Sequence, residues 1–408
     1  MQQLQLNGTW QLHDEPLAAG ENDVARITGL VDGWIEQPVP GDIHQGLVLA
    51  GRIREPLEGL NSFDCRWTED RSWWYRRQFD TDSNWLHSDA VELELNGLDS
   101  NASIYLNGTH LGDHSSAFYP FRIDIRQHLN HDGPNTLLVR LTSGVEHVTQ
   151  EQLDELGVTV ATEAANNRPE RGDARRVYVR KPQYSFGWDW SPRVATTAIA
   201  GDVLIRAWNV ARIWDVAVQP YREQRRVGMH VTITVDSWHY YSTARGTVQL
   251  AVSDESGKVA GLEQTVLLRS GLNYISFDVP LAAPRYWWPN GLGEQHRYSL
   301  RTNLIATSSR APDGPVEKAS YPEILYGLRF VELDLGDVAA GLNRFSLVLN
   351  GKRIFCKGAD WIPADALYAR VTPEKYDTLV HEAQRANFNM LRVWGGRALR
   401  ARGFLRCL

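Results

Sequence analysis

The sequence contains little cysteine, no long apolar run and no strong excess of charge of either sign. Its three cysteines, Cys65, Cys356 and Cys407, form no Cys-x-x-Cys pair and are too few for a disulfide framework. Apolar residues nowhere approach the run of about 18 that a transmembrane helix needs. The net charge of −6 argues against a nucleic-acid-binding protein, whose surface would be basic. The residues also form no spaced set of metal ligands, so we expect no metal. From the lack of a long apolar run and of a basic charge, we expect no membrane and no nucleic-acid partner. No cofactor is expected either.

The chain is long enough for several domains. At roughly 100–200 residues per domain, its 408 residues predict two to four domains with real cores. Its first residues lack the basic and apolar segments of a signal peptide, so we expect a cytoplasmic protein. Nothing in the sequence indicates an oligomeric state.

Aromatic residues are abundant, with 15 Trp, 15 Tyr and 11 Phe. Flat aromatic rings stack on the C–H faces of pyranose sugars, so a Trp-rich soluble chain is a candidate sugar-binding protein. Large sandwich cores also use tryptophan, because its ring buries a large apolar area. Composition alone leaves both interpretations open.

Alternating apolar residues predict two successive β-sandwiches. In the first, Val91, Leu93 and Leu95 alternate with polar residues, and Asn107-Gly108 is a typical hairpin turn. We therefore predict an antiparallel sandwich or jelly roll over residues 1–205. Further alternating runs, as in residues 229–235, predict an immunoglobulin-like sandwich over residues 206–325.

The pattern changes over residues 326–408. Strands are predicted at residues 354–357 and 390–394, and between them Thr372 and Pro373 begin an amphipathic helix. A strand, a helix and a second strand form one unit of a parallel sheet. Residues 397–408 differ from the rest, with four arginines in 12 residues. A reading-frame shift would produce such a tail, and a genuine divergent end is the alternative.

One sequence motif is highly specific, the 14-residue run at 180–193, Arg-Lys-Pro-Gln-Tyr-Ser-Phe-Gly-Trp-Asp-Trp-Ser-Pro-Arg. Further characteristic segments are 7–10 (Asn-Gly-Thr-Trp), 39–44 (Val-Pro-Gly-Asp-Ile-His), 73–76 (Trp-Trp-Tyr-Arg), 286–295, 357–363 and 389–396. Together these segments resemble glycoside hydrolase family 2, and in particular its β-mannosidase branch. The resemblance covers about residues 1–396 and implies a sugar-binding-like (galactose-binding-like) jelly roll, an immunoglobulin-like sandwich and the first two strands of an incomplete (β/α)8 TIM barrel.

The resemblance also implies residues that touch sugar. Trp394 matches a tryptophan that lines the −1 sugar subsite, and Asp189 matches a carboxylate that bonds sugar hydroxyls. Plainer roles compete with these: interdomain packing for Trp188, a turn cap for Asp189, and support of a strand end for Asp360. Arg392 is a candidate supporting residue behind the sugar contacts. The predicted substrate-binding residues are Asp189, Trp190, Trp188, Asp360, Trp361 and Trp394.

The implied activity is exo-acting, retaining hydrolysis of terminal non-reducing β-D-mannose from oligosaccharides. A retaining glycosidase needs two carboxylic acids about 5–5.5 Å apart, and a TIM barrel needs ~250 residues. Only about 65 residues follow position 343, so the resemblance implies that both glutamates are absent. Glu374 and Glu382 fall on the first barrel helix, where charges are usually solvated. We predict a truncated chain with no catalytic residues, inactive alone.

Two other functions stay open on the sequence. One is another family 2 activity, β-galactosidase or β-glucuronidase. The other is a non-catalytic carbohydrate-binding protein made of two sandwiches. The segment from residue 344 onward should be the least stable part, because a barrel fragment leaves its helix little to pack against and its strand edges unpaired.

Overall fold

The fold, taken from a computed structural model, is mainly β, as predicted. The structure describes residues 2–130, 132–158, 160, 172–224, 226–238, 244–308, 316–337 and 339–395; the Arg-rich tail lies outside them. Its N-terminal helices are α1 (Val24–Gly29), α2 (Ile43–Leu49), α3 (Asn61–Asp64) and α4 (Gln150–Glu155). Its N-terminal strands are β1 (Gln2–Gln5), β2 (Gly8–Pro16), β3 (Ile35–Val39), β4 (Gly41–Asp42), β5 (Arg71–Phe79), β6 (Ala90–Leu95), β7 (Leu98–Asp99), β8 (Asn101–Leu106), β9 (Thr109–Ser115), β10 (Phe121–Asp124), β11 (Asn135–Thr142), β12 (Ala198–Ile199) and β13 (Val203–Trp208).

These strands form a sandwich around one core. One sheet has the order β1-β13-β6-β10, the facing sheet has the order β3-β2-β5-β11-β8-β9, and a small sheet, β4-β12-β7, lies beside them. The alternation predicted in β6 is confirmed, because Val91, Leu93 and Leu95 are all buried in the core. The predicted hairpin is confirmed too: Asn107 and Gly108 both have positive φ, 52° and 81°, as a type I′ turn requires.

The second sandwich is antiparallel throughout, with the sheet orders β14-β15-β18 and β17-β16-β19-β20. Met229, Val231, Ile233 and Val235 of β15 point into its core. The boundaries at 205/206 and 325/326 stay predictions. The strands are β14 (Ala211–Glu223), β15 (Arg226–Ser237), β16 (Ala244–Asp254), β17 (Gly257–Leu268), β18 (Gly271–Pro280), β19 (Tyr298–Ser308) and β20 (Glu317–Tyr326).

Arg212 joins the two sandwiches. Its guanidinium donates two hydrogen bonds of 2.8 Å to the Glu92 carboxylate of β6 and lies 3.3 Å from Asp236 of β15. The same group lies 3.9 Å from the centroid of the Trp208 ring. Because Arg212 is only 5% exposed, breaking these contacts would leave a buried charge, which is costly.

The third segment contains one parallel strand pair among its described residues. It comprises β21 (Val331–Asp337), β22 (Leu342–Leu349), β23 (Lys352–Arg353), β24 (Gly358–Trp361), α5 (Pro373–Arg385) and β25 (Met390–Val393). Strands β24 and β25 pair in parallel, with α5 between them in sequence. The predicted start of the helix is confirmed: Pro373 is its first residue, and the Thr372 hydroxyl accepts from the backbone N–H of Lys375.

The predicted first barrel strand at residues 354–357 is wrong. The strand instead begins directly after these residues, at β24, because the Asn389 side chain forms hydrogen bonds with the backbone of the predicted segment. Its amide donates to the Phe355 carbonyl at 2.9 Å, and its carbonyl oxygen accepts from the Lys357 N–H at 2.8 Å. A side chain thus bonds the backbone groups that a neighbouring strand would have used.

The third segment is also attached to the first sandwich, which the sequence did not predict. The Tyr368 hydroxyl donates to Asp99 at 3.0 Å, and the Asp99 carboxylate pairs with Lys181, also at 3.0 Å. Arg370 forms two 3.0 Å hydrogen bonds to Glu55. The segment therefore has specific partners, although large apolar side chains such as Phe355, 82% exposed, stay in solvent.

Helix α5 packs through one face only. Tyr376 is buried against Trp361 and Val371, whereas Glu374 and Glu382 are exposed on the helix, as predicted. Elsewhere, too, no described helix combines the length and the apolar character needed to cross a membrane.

Candidate functional site

A tight loop in the 180–193 motif presents Asp189 to solvent. Phe186 pairs with Arg193 across the loop, and the Trp188 N–H donates to the Ser191 carbonyl at 3.0 Å. Gly187 enters the turn at φ +95°, a conformation that disfavours a side chain. The exposed Asp189 therefore sits at the tip, with a tryptophan on each side.

Charged residues hold the base of this loop. Arg193 donates to both oxygens of Glu69, at 3.0 and 2.5 Å, and to Asp173 at 3.1 Å. Burial alone would raise the pKa of Asp173, but hydrogen bonds from Arg175 and the charges of Arg175 and Arg193 lower it below its ordinary value. Asp173 is therefore ionised at neutral pH, and its contact with Arg193 helps to fix the loop on the sandwich.

Four aromatic rings meet next to Asp189, and we call them the Trp188 cluster: Tyr184, Trp188, Trp190 and Trp394. The Trp394 ring centroid lies 5.3 Å from that of Trp188 and 5.8 Å from that of Trp190, both edge-on. Tyr184 lies 5.0 Å from Trp190 and 6.4 Å from Trp394. These spacings are typical of attractive edge-to-face pairs.

The cluster unites residues that are about 200 positions apart. Three of its rings come from the first sandwich, and Trp394 follows directly on β25. The Trp394 N–H donates to the Trp361 carbonyl at 3.1 Å, which continues the parallel ladder past β24. The cluster therefore lies at the carboxyl ends of parallel strands, where barrel enzymes place their active sites.

Asp360 and Arg392 form a pair on the same two strands. They are register partners, and one guanidinium nitrogen lies 2.9 Å from both Asp360 oxygens. Both side chains are more than half exposed. Asp360 is thus already bonded to a cation and suits positioning better than proton transfer.

The predicted site residues do not all meet. Asp189, Trp188, Trp190 and Trp394 come together. The Trp361 ring instead packs in a separate cluster with Val371 and Tyr376, so its contact with sugar stays a prediction.

Two contributing residues were not predicted. Tyr184 is fully buried within the Trp188 cluster, and Tyr368 packs in the same apolar group. Tyr184 belongs to the 14-residue motif, four positions before Trp188, so the motif could have indicated it. Tyr368 carries no local signal, because its partner Asp99 is 269 residues away.

Among the described residues, Asp189 offers an exposed carboxylate beside aromatic rings. Within the described part of the chain, no hydrogen bond or ion pair engages the Asp189 carboxylate. An exposed carboxylate between two indole rings can accept hydrogen bonds from sugar hydroxyls while the rings cover an apolar sugar face. Asp360, the predicted site carboxylate on the parallel strands, is held by Arg392.

One group of possible metal ligands occurs elsewhere among the described residues. Ligand atoms of Glu255, Glu294 and His296 all lie within 4.8 Å of one another. Arg285 already contacts both carboxylates, with 2.6 Å to Glu294. The cation in this group is therefore a guanidinium.

Family comparisons match both sandwiches. A model described as glycosyl hydrolase 2 galactose-binding domain-like matches residues 10–201, and a model for glycosyl hydrolases family 2 matches residues 211–311. Together they cover more than two thirds of the chain.

Individual relatives agree. Beta-mannosidase B of Emericella nidulans is 29% identical over 374 residues, which is 90% of this chain and 41% of that protein. Beta-mannosidase B of Aspergillus fumigatus is 28% identical over 97% of this chain and 43% of its own length. The chain thus spans less than half of these curated relatives.

Solved structures share the fold. The crystal structure of β-D-mannosidase from Dictyoglomus thermophilum matches with a TM-score of 0.80 and 30% identity, over all of this chain and 46% of that one. A β-glucuronidase from Bacteroides uniformis matches with a TM-score of 0.66 at 15% identity, over 99% of this chain and 40% of that one, which supports the fold alone. On these matches and on the two-sandwich architecture that leads into a parallel strand pair, the chain belongs to glycoside hydrolase family 2.

Proposed function

We propose that this chain carries the sugar-binding half of an exo-acting, retaining β-mannosidase. The observation that supports this most is the Trp188 cluster, in which the rings on either side of Asp189 in a sandwich loop pack against Trp394 at the end of a parallel strand. The sequence relatives named beta-mannosidase B and the 30% identical β-D-mannosidase structure favour mannose over other sugars.

In this proposal each residue has one task. Trp394 and Trp188 cover the apolar face of the terminal β-mannose, and Asp189 accepts hydrogen bonds from its hydroxyls. The Asp360–Arg392 pair fixes the strand ends beneath the sugar. Binding energy of this kind orients the glycosidic bond for attack.

We further propose that the two carboxylic acids of the double displacement lie outside these 408 residues. The chain covers 41% of its Emericella relative, and Glu374 and Glu382 are exposed on α5, away from the Trp188 cluster. The chain alone should then bind substrate without hydrolysing it, because general acid–base catalysis alone typically contributes about 10²–10⁴-fold.

Two measurements on the purified chain test this. Release of p-nitrophenol from p-nitrophenyl β-D-mannoside should not exceed background, and measurable turnover would contradict the missing acid pair. Calorimetry should detect mannobiose binding that Asp189→Asn weakens and that Asp113→Asn, at an exposed aspartate of β9, does not. Equal binding by both variants would remove Asp189 from the site.

The same calorimetry addresses the two rival functions. A preference for galactosides or glucuronides over mannobiose would favour another family 2 activity. Binding without turnover fits both an incomplete enzyme and a carbohydrate-binding protein. Appearance of activity when a separately expressed C-terminal part of a β-mannosidase is added would favour the incomplete enzyme.

A further inference from the structure

The N-terminal sandwich also contains a cleft, which shares no residue with the Trp188 cluster. We call it the Trp67 cleft, and it encloses about 420 Å3. This volume falls within the ~300–1,000 Å3 typical of small-molecule sites. Its lining residues are Gly51, Arg52, Ile53, Arg54, Asp64 and Trp67.

An exposed but firmly supported indole forms one wall. Trp67 is 39% exposed, and its ring centroid lies 5.9 Å from that of the fully buried Trp73. Trp73 is itself fixed, since its indole N–H donates to the Thr68 carbonyl at 3.0 Å. Little side-chain entropy is therefore lost when a ligand covers the Trp67 ring.

The polar wall consists of charged groups that are already paired. Arg54 lies 2.8 Å from Asp64, with side-chain exposures of 75% and 64%. Arg52 lies 3.1 Å from Asp14. Asp14 also lies 2.8 Å from Arg71, so each charge in this wall has a partner of opposite sign, with arginines in excess. The wall offers planar donors and acceptors to a ligand that has many hydroxyl groups.

We propose that the Trp67 cleft is a secondary, non-catalytic binding site for a β-mannan chain. An apolar sugar face stacks on Trp67, while neighbouring hydroxyls bond to Arg54 and Asp64. The choice of mannan over other neutral glycans rests on the proposed function. A site of this kind would bind a long substrate independently of the Trp188 cluster.

Affinity electrophoresis of the full chain in gels containing soluble galactomannan tests the proposal. Wild type should be retarded, and Trp67→Ala should reduce the affinity about 10-fold or more, as expected when the aromatic ring that stacks on the ligand is removed. Trp67→Phe should restore most of it. Arg54→Ala, at an exposed side chain whose loss should not affect folding, should also weaken retardation. Circular dichroism and thermal unfolding check that each variant folds.

Asp189→Asn separates this site from the proposed active site, and mannobiose calorimetry serves as the second measurement. Retardation lost in Trp67→Ala but kept in Asp189→Asn would support the Trp67 cleft, whatever the mannobiose calorimetry shows about the proposed function. Retardation kept in Trp67→Ala but lost in Asp189→Asn would overturn the cleft and leave the proposed function standing. No retardation of wild type, or equal retardation by hydroxyethylcellulose, would overturn the mannan proposal.

Discussion

Replacing Tyr368 by phenylalanine should loosen the third segment without unfolding the sandwiches. The change keeps the ring, which packs beside Tyr184, but removes the 3.0 Å hydrogen bond to Asp99. A hydrogen bond to a charged group is worth about 1.5–3 kcal/mol. The docking free energy of the third segment should fall by an amount in this range, because Lys181 and Thr196 still contact the Asp99 carboxylate in the variant.

Amide hydrogen exchange measures this effect locally. If the segment opens as a unit, a loss of about 2 kcal/mol speeds exchange in α5 about 30-fold. In the same variant, exchange in β15 should not change. Tyr178→Phe is the matched control: it removes an exposed hydroxyl that donates to the Gln152 carbonyl, and exchange in α5 should not change in it. Unchanged exchange in α5 of Tyr368→Phe would show that this contact does not hold the segment.

Three further predictions follow from the contacts described above. Burial would raise the pKa of Glu94, but Arg122 and Arg206 help to lower it to about 2. Glu94→Gln should therefore reduce the free energy of unfolding, measured in urea at pH 7, by at most about 3 kcal/mol. This stabilisation is present above the unfolded-state pKa near 4.5 and is lost as the pH falls towards 2. The difference in unfolding free energy between wild type and variant should therefore shrink below about pH 4, and a difference that stays constant would contradict the reasoning. Gly187→Ala should cost about 1–2 kcal/mol because φ there is +95°, and it should weaken mannobiose binding by displacing the loop. Limited proteolysis should leave a stable fragment that ends between residues 321 and 342, and rapid digestion through residues 90–140 would count against independent sandwiches.

Local patterns in the sequence predicted local structure well. The alternation in β6 and β15, the Asn107-Gly108 turn and the Thr372 cap each depend on residues a few positions apart. Propensity and side-chain periodicity act over the same range, so the prediction and the physical cause coincide. The motif at 180–193 also indicated the Asp189 loop, because its short turn and the two flanking tryptophans are close together in the sequence.

The errors concern contacts over long distances in sequence. The strand expected at 354–357 lies at β24, because Asn389, more than 30 residues later, bonds the backbone of Phe355 and Lys357. The attachment of Tyr368 to Asp99 likewise leaves no periodic signal. Such pairings depend on how finished elements pack, which residue-by-residue patterns do not encode.

The Trp188 cluster combines three rings of the first sandwich with Trp394 of the third segment. This division determines which measurement can detect a weaker docking of the third segment. Only chains with the third segment docked place Trp394 beside Trp188, so the apparent affinity for sugar falls in proportion to the docked fraction. If docking were worth about 3 kcal/mol, losing 2 kcal/mol would still leave about 84% of chains docked, and the affinity would hardly change. Hydrogen exchange reports the rare open state and would change about 30-fold in the same variant. A large drop in mannobiose affinity in Tyr368→Phe would therefore mean that docking is already marginal in the wild-type chain. In that case the contacts to Asp99 and Glu55 contribute less than their geometry indicates.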